Sequence, residues 1–116
     1  MAVNLYDLAN NLAREMKNSE EYREYIRTRD IAMENETQAA LLKEYKKLQF
    51  QVQVAMAGGK TNPEEMERLQ KIMQVLQLSR EATDYIMAEF RFQKLLSDIY
   101  KILGDAAGID LDMLKS

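Results

Sequence analysis

The chain has no cysteine, no histidine and no tryptophan, and its 116 residues include one proline and four glycines. Without cysteine there is no disulfide, no thiol nucleophile and no protein-ligated iron–sulfur cluster. Without histidine, Ser–His and Cys–His nucleophile pairs are excluded, as are zinc sites built on imidazole. A carboxylate-only Mg or Ca site would need ordered spacing, and Asp105, Asp110 and Asp112 match no known loop. Gly58-Gly59 follows no strand, so it is not a phosphate-cradling loop. No cofactor, no metal and no catalytic residue are therefore expected. No apolar run approaches the roughly 18 residues of a membrane span. The first residues lack the basic segment and long apolar run of a signal peptide, so a cytoplasmic protein is expected. A net charge of −3 gives no overall electrostatic case for nucleic acid or an anionic membrane.

What the chain does contain is helical patterning. The dearth of proline and glycine favours long helices, and 47% hydrophobic with 30% charged residues suits one globular domain over 1–116. Asn4 reads as an N-cap, followed by Leu5, Leu8, Ala9, Leu12, Ala13 and Met16 at helical spacing. Ser19 caps a second helix with Glu20 and Glu21 in its first turn and Tyr22, Tyr25, Ile26, Ala32 and Met33 on one face. A break is expected at Asn35 or Glu36, with Thr37 capping the third helix. That helix carries Leu41, Tyr45, Leu48, Val52 and Ala55 in a heptad-like seam. Asn62-Pro63 opens a fourth, whose inner face is Met66, Leu69, Ile72, Met73 and Leu76. Glu64–Arg68 and Glu67–Lys71 are spaced as i,i+4 ion pairs on its outer side.

The rest of the chain is organised around residues 79–103. On a helical wheel their apolar side chains fill an arc of roughly 240°, far wider than the roughly 100° stripe of a surface helix. Such a helix must be covered on more than one side. Ser79-x-Glu-x-x-Asp-Tyr-Ile echoes Ser19-x-Glu-x-x-Glu-Tyr-Ile, which supports Ser79 as a cap and a break around 77–79. The alternative is one helix running unbroken over 63–103. Gly104 is placed as the residue ending the helix, leaving 104–116 as a short tail. The expected fold is an all-α antiparallel bundle of about five helices, with the long C-terminal helix central and packed by the first three helices and by 63–77.

Three sets of residues invite a functional reading. Glu89 and Gln93 fall within the apolar arc and form either a polar binding site or, with more weight, an internal pairing with Arg29. Phe50, Val54, Phe90, Leu95 and Ile102 lie off the best-defined core seams and are the candidate interface of an isologous homodimer. Lys43, Lys46 and Lys47, beside Phe50, are either a solvated helix face or, less favoured, an RNA-binding patch. Ile109, Leu111 and Leu114 form either a docking motif or a tail packed on its own bundle. Eight methionines suit adaptable protein contacts.

The start Met-Ala-Val-Asn-Leu-Tyr-Asp-Leu-Ala, the Ser19-Glu-Glu-Tyr helix start and Met87-Ala-Glu-Phe-Arg-Phe together resemble the YlbF/YmcA family of small bacterial helical proteins. The likeness is strongest to its YheA-like branch and spans nearly the whole chain. It implies an all-α, often dimeric protein with a regulatory rather than enzymatic role. In that family YlbF and YmcA act with a third protein, YaaT, in a complex that influences competence, sporulation, biofilm formation and RNA maturation. The cysteines that tie those relatives to iron–sulfur clusters are absent here, so no cluster carries over. The resulting expectation is a non-catalytic cytoplasmic regulator or adaptor with a protein partner, the alternative being an RNA-binding accessory protein.

Overall fold

The computed structural model describes residues 3–108. They form five helices: α1 (Leu5–Lys17), α2 (Glu20–Ala32), α3 (Glu36–Ala57), α4 (Pro63–Leu76) and α5 (Arg80–Ala107). Each begins on an Asn or Ser whose side chain accepts from the first free backbone amides: Asn4, Ser19, Asn35, Asn62 and Ser79. Asn35, not Thr37, caps α3, because its Oδ1 reaches the Gln38 amide at 3.0 Å. Thr37 instead lies in the first turn.

The chain breaks between α4 and α5. Ser79 is extended, at φ −102° and ψ 121°, and its Oγ accepts from the Ala82 amide at 3.2 Å. The same hydroxyl donates to Gln38 Oε1 at 2.5 Å, while Gln38 Nε2 donates to the Ala32 carbonyl at 2.8 Å. One side chain thus ties together the end of α2, the start of α3 and the start of α5. At the other end, the expected stop at Gly104 is corrected. α5 runs through a buried Gly104 and ends at Gly108, which takes the left-handed φ of +71°. An interior glycine costs only about 1 kcal/mol, and Ala106 and Ala107 favour continuing the helix to a glycine that can close it. Residues 109–116, with Ile109, Leu111 and Leu114, lie outside the described residues.

α5, 28 residues and about 42 Å long, packs chiefly along α2, and α3 packs along α4. α2 and α5 are antiparallel: Tyr22 meets Phe92, while Tyr25, further along α2, stacks on Tyr85, further back on α5. The core is Ala32, Leu42, Tyr45, Leu48, Ile72, Leu76, Ala82 and Tyr85, drawn from α2 to α5. Leu42 is fully buried whereas Leu41, expected in the seam, is only partly so. α3 has α4 on one side and α5 on the other, which widens its buried arc beyond one seam.

α1 departs from expectation. None of its side chains is buried, and its main neighbour is α2 rather than α5. The molecule is correspondingly open and flat. It measures 57 × 36 × 16 Å, with a radius of gyration of 17.5 Å against about 13 Å for a compact chain of this length. No helix among the described residues is long and apolar enough to cross a membrane.

Candidate interaction surface and polar cluster

The polar cluster forms where α3 crosses α5. Tyr85 OH donates to Glu89 Oε2 at 2.9 Å, and Lys46 Nζ stands 2.6 Å from the same oxygen. The Lys46 ammonium also donates to the Tyr85 hydroxyl and sits 4.6 Å from the centre of its ring. Spacing explains the arrangement: Tyr85 and Glu89 are one turn apart on α5, and Lys46 follows the buried Tyr45 on α3. Burial pushes the Tyr85 phenol up to about 12, the Lys46 hydrogen bond opposing and Glu89 reinforcing the shift. Partial burial pulls the Lys46 ammonium down, but hydrogen bonds to Glu89 and Tyr85 outweigh it and hold its pKa above the ordinary lysine value.

These shifts fix the sign of an alkaline response. Tyr85 keeps its proton in the folded chain to about pH 12 but loses it near pH 10 when unfolded, so the folded state binds more protons between those values. The stabilisation is complete below about pH 10 and disappears as pH rises towards 12; Lys46 acts in the same direction. Urea unfolding at about pH 9 and pH 11 should show lower stability at the higher pH, with a shallower fall in Tyr85→Phe. An equal fall in both proteins would refute the assignment to Tyr85.

The expected Arg29–Glu89 pair is corrected. Arg29 lies near Asp30, at 3.4 Å, and over the Tyr25 ring at 5.9 Å, while Glu89 is taken by Lys46. Gln93 faces solvent. α2 and α3 approach α5 from different sides, and Glu89 lies on the α3 side. Arg68, expected to pair with Glu64, reaches Glu44 across the α3–α4 seam, whereas Glu67–Lys71 forms as spaced, at 3.3 Å. The three lysines are also divided: Lys43 and Lys47 are exposed, but Lys46 turns inward as a structural partner. Nothing local in the sequence separates Lys46 from its neighbours; the choice depends on how α3 is rotated against α5.

Of the candidate interface residues, Phe50, Val54, Phe90 and Ile102 are exposed, and Phe90 is 67% accessible. Leu95 is half-buried in a cleft between the first turns of α2 and the middle of α5, lined also by Glu20, Glu21, Glu24 and Asp98. Sequence reasoning did not single out the four-ring cluster of Tyr22, Tyr25, Tyr85 and Phe92, in which Tyr25 stacks on both Tyr85 and Phe92 with centroids at 6.0 and 5.2 Å and Tyr22 meets Phe92 edge-on. The Tyr22-x-x-Tyr25 spacing was its only signal. Among the described residues no group of three or more acidic side chains is placed to hold a metal ion.

Residues 5–106 match the family described as control of competence regulator ComK, YlbF/YmcA. The chain belongs to the YlbF/YmcA family. A UPF0342 protein of Halothermothrix orenii is 40% identical over 100 residues, covering 85% of each chain. Another from Symbiobacterium thermophilum is 35% identical over 112 residues, covering 96% of this chain and all of its own. In fold, the chain is similar to a DUF964 protein from Bacillus stearothermophilus, with a TM-score of 0.73, 19% identity and coverage of 90% and 92%. It is also similar to a structure of Bacillus subtilis RicA in complex with RicF, with a TM-score of 0.60, 23% identity and coverage of 93% and 96%. The family and both structural likenesses agree with the all-α bundle read from the sequence.

Proposed function

We propose that this YlbF/YmcA-family chain is a non-catalytic cytoplasmic regulatory adaptor that works as a homodimer and presents a helical apolar surface to a protein partner. One observation carries the reading. The chain exposes 9214 Å² of surface, where a compact monomer of 13.5 kDa exposes about 6,500 Å². The excess includes large apolar side chains on α1, α3 and α5. It exceeds what each partner contributes to a standard interface, about 800 Å². The RicA–RicF structure, a complex of two proteins in which one resembles this fold, supports a partner-binding role here by analogy. The family's printed description supports a regulatory one.

Sedimentation at tens of micromolar should give a dimer, and a monomer would defeat the homodimer reading. The adaptor reading is tested by recovery from lysate at low and moderate salt. A protein partner held by apolar contacts should survive the higher salt, whereas RNA held through phosphates is lost steeply. The RNA alternative retains Lys43 and Lys47 as its accessible cations, with Lys46 occupied by Glu89.

A further inference from the structure

We infer that the cleft between the first turns of α2 and the middle of α5 takes one helix of a partner protein, an amphipathic helix with cations along one edge and anions along the other. The inference rests on the adaptor reading and names the chemistry of the partner. The cleft has a volume of about 480 Å³. Glu20, Glu21 and Glu24 form its α2 wall, and Arg91 and Lys94 stand on the α5 wall. Ala88, buried, and Leu95, half-buried, are the apolar floor. They lie two turns apart on α5, about 10 Å, so the floor runs along the helix axes.

The two walls differ in sign, and the sequence explains why. Glu20 and Glu21 occupy the first turn of α2, where the positive end of the helix dipole favours anions. Because α2 and α5 are antiparallel, that acidic start comes to lie beside Arg91 and Lys94. Part of this charge is settled internally. Glu24 pairs with Arg27 at 2.7 Å, and Lys94 with Asp98 at 3.4 Å. Arg91 faces Glu24 across the cleft. Adding to the Arg27 hydrogen bond, its charge holds the Glu24 carboxyl below the usual carboxylate range. Glu20, Glu21 and Arg91 make no ion pair among the described residues. Two anions on one wall and a cation on the other are therefore left for an occupant.

A groove between two antiparallel helices suits a third helix, its apolar seam on the floor and its flanking residues against the walls. An extended peptide would find no sheet edge to join, since all five elements are helices. The floor is short and already well packed, so the walls decide which helix fits. Cations belong on the edge over Glu20 and Glu21, and an anion on the edge over Arg91. Reversing the helix exchanges its edges, so the same charges also set the direction in which it lies. Charges flanking a helical seam govern partner choice and orientation more than affinity.

The probes are three labelled alanine-based helical peptides of about 16 residues. Each carries two leucines at the spacing of Ala88 and Leu95. One has lysine on one edge and glutamate on the other, the second lysine on both edges, and the third glutamate on both. Followed by fluorescence anisotropy on the full chain, the mixed peptide should bind roughly 10-fold more tightly than either uniform one. The difference should shrink as salt rises. Glu20→Lys with Glu21→Lys turns the α2 wall cationic, and the all-glutamate peptide should then bind best. Arg91→Glu turns the free charge of the α5 wall acidic, and the all-lysine peptide should then bind best. The two variants move the preference in opposite directions. None of the three residues belongs to the core, so far-ultraviolet circular dichroism should be largely preserved.

Equal binding of the three peptides, or a preference that the variants leave in place, overturns the inference. So does binding by none of them at concentrations up to about 1 mM. Recovery of a partner from lysate decides the adaptor reading separately, so the two can fail apart. Two other occupants of the cleft would also overturn the inference. One is a second copy, shown by a dimer that Glu20→Lys with Glu21→Lys and Arg91→Glu each abolish. The other is the chain's own C-terminal end. The absence of native cysteine makes that direct to detect, by bis-maleimide linkage of Lys94→Cys to Leu111→Cys within one chain.

Discussion

Tyr85→Ala should lower the free energy of unfolding by about 3–5 kcal/mol, the range for removing a large aromatic from a packed interior. Tyr85 is 1% exposed and meets three different environments at once. Its ring stacks on Tyr25, its face carries the Lys46 ammonium, and its hydroxyl donates to Glu89. Truncation opens a cavity and removes the surface over which the Lys46–Glu89 pair is arranged. Tyr85→Phe keeps the volume and loses only the hydroxyl, so about 1 kcal/mol is expected, since Glu89 still accepts from Lys46. A loss below about 1 kcal/mol for Tyr85→Ala in urea unfolding would mean that α5 does not pack here as described.

Leu42→Ala is the second large effect, at about 2–5 kcal/mol. Leu42 is wholly buried in the core cluster, so its truncation leaves a cavity in packed surroundings. Leu41→Ala is the control. It removes the same atoms from a half-buried position one residue away, and under about 1.5 kcal/mol is expected. Equal losses would put the α3 seam back through Leu41, where sequence periodicity places it.

That contrast shows what local sequence can reveal. Helix starts are decided within four residues, by an Asn or Ser and the amides just beyond it, so Asn4, Ser19, Asn62 and Ser79 were readable directly. Only α3's start shifted, because Asn35 and Thr37 compete over the same turn. Gly104 and Gly108 posed the same kind of choice at the other end of α5. The site was less legible because it depends on rotation between helices. Three lysines within five residues are equivalent until α3 is set against α5, and only then does Lys46 meet Glu89. Arg29 was a reasonable partner by stripe membership, but α2 and α3 flank α5 differently. The wide apolar arc of α5 was visible and pointed to unmet cover. That α1 lies chiefly beside α2 and buries none of its side chains depends on how the two helices are set against each other, not on any periodicity.

The nested pairing of helices also has a kinetic meaning. α3 and α4 are neighbours in the chain, whereas α2 and α5 meet only after the whole α3–α4 hairpin has been looped out between them. Closing a long loop costs entropy before its contacts repay it, so the hairpin forms ahead of the outer clasp. The two substitutions should therefore divide by rate. Leu42→Ala should act more on folding, and Tyr85→Ala, at the clasp, mainly by hastening unfolding. Opening of the clasp would then release α1 and α2 together while α3 and α4 stay paired, giving the chain a way to change its contacts without unfolding completely.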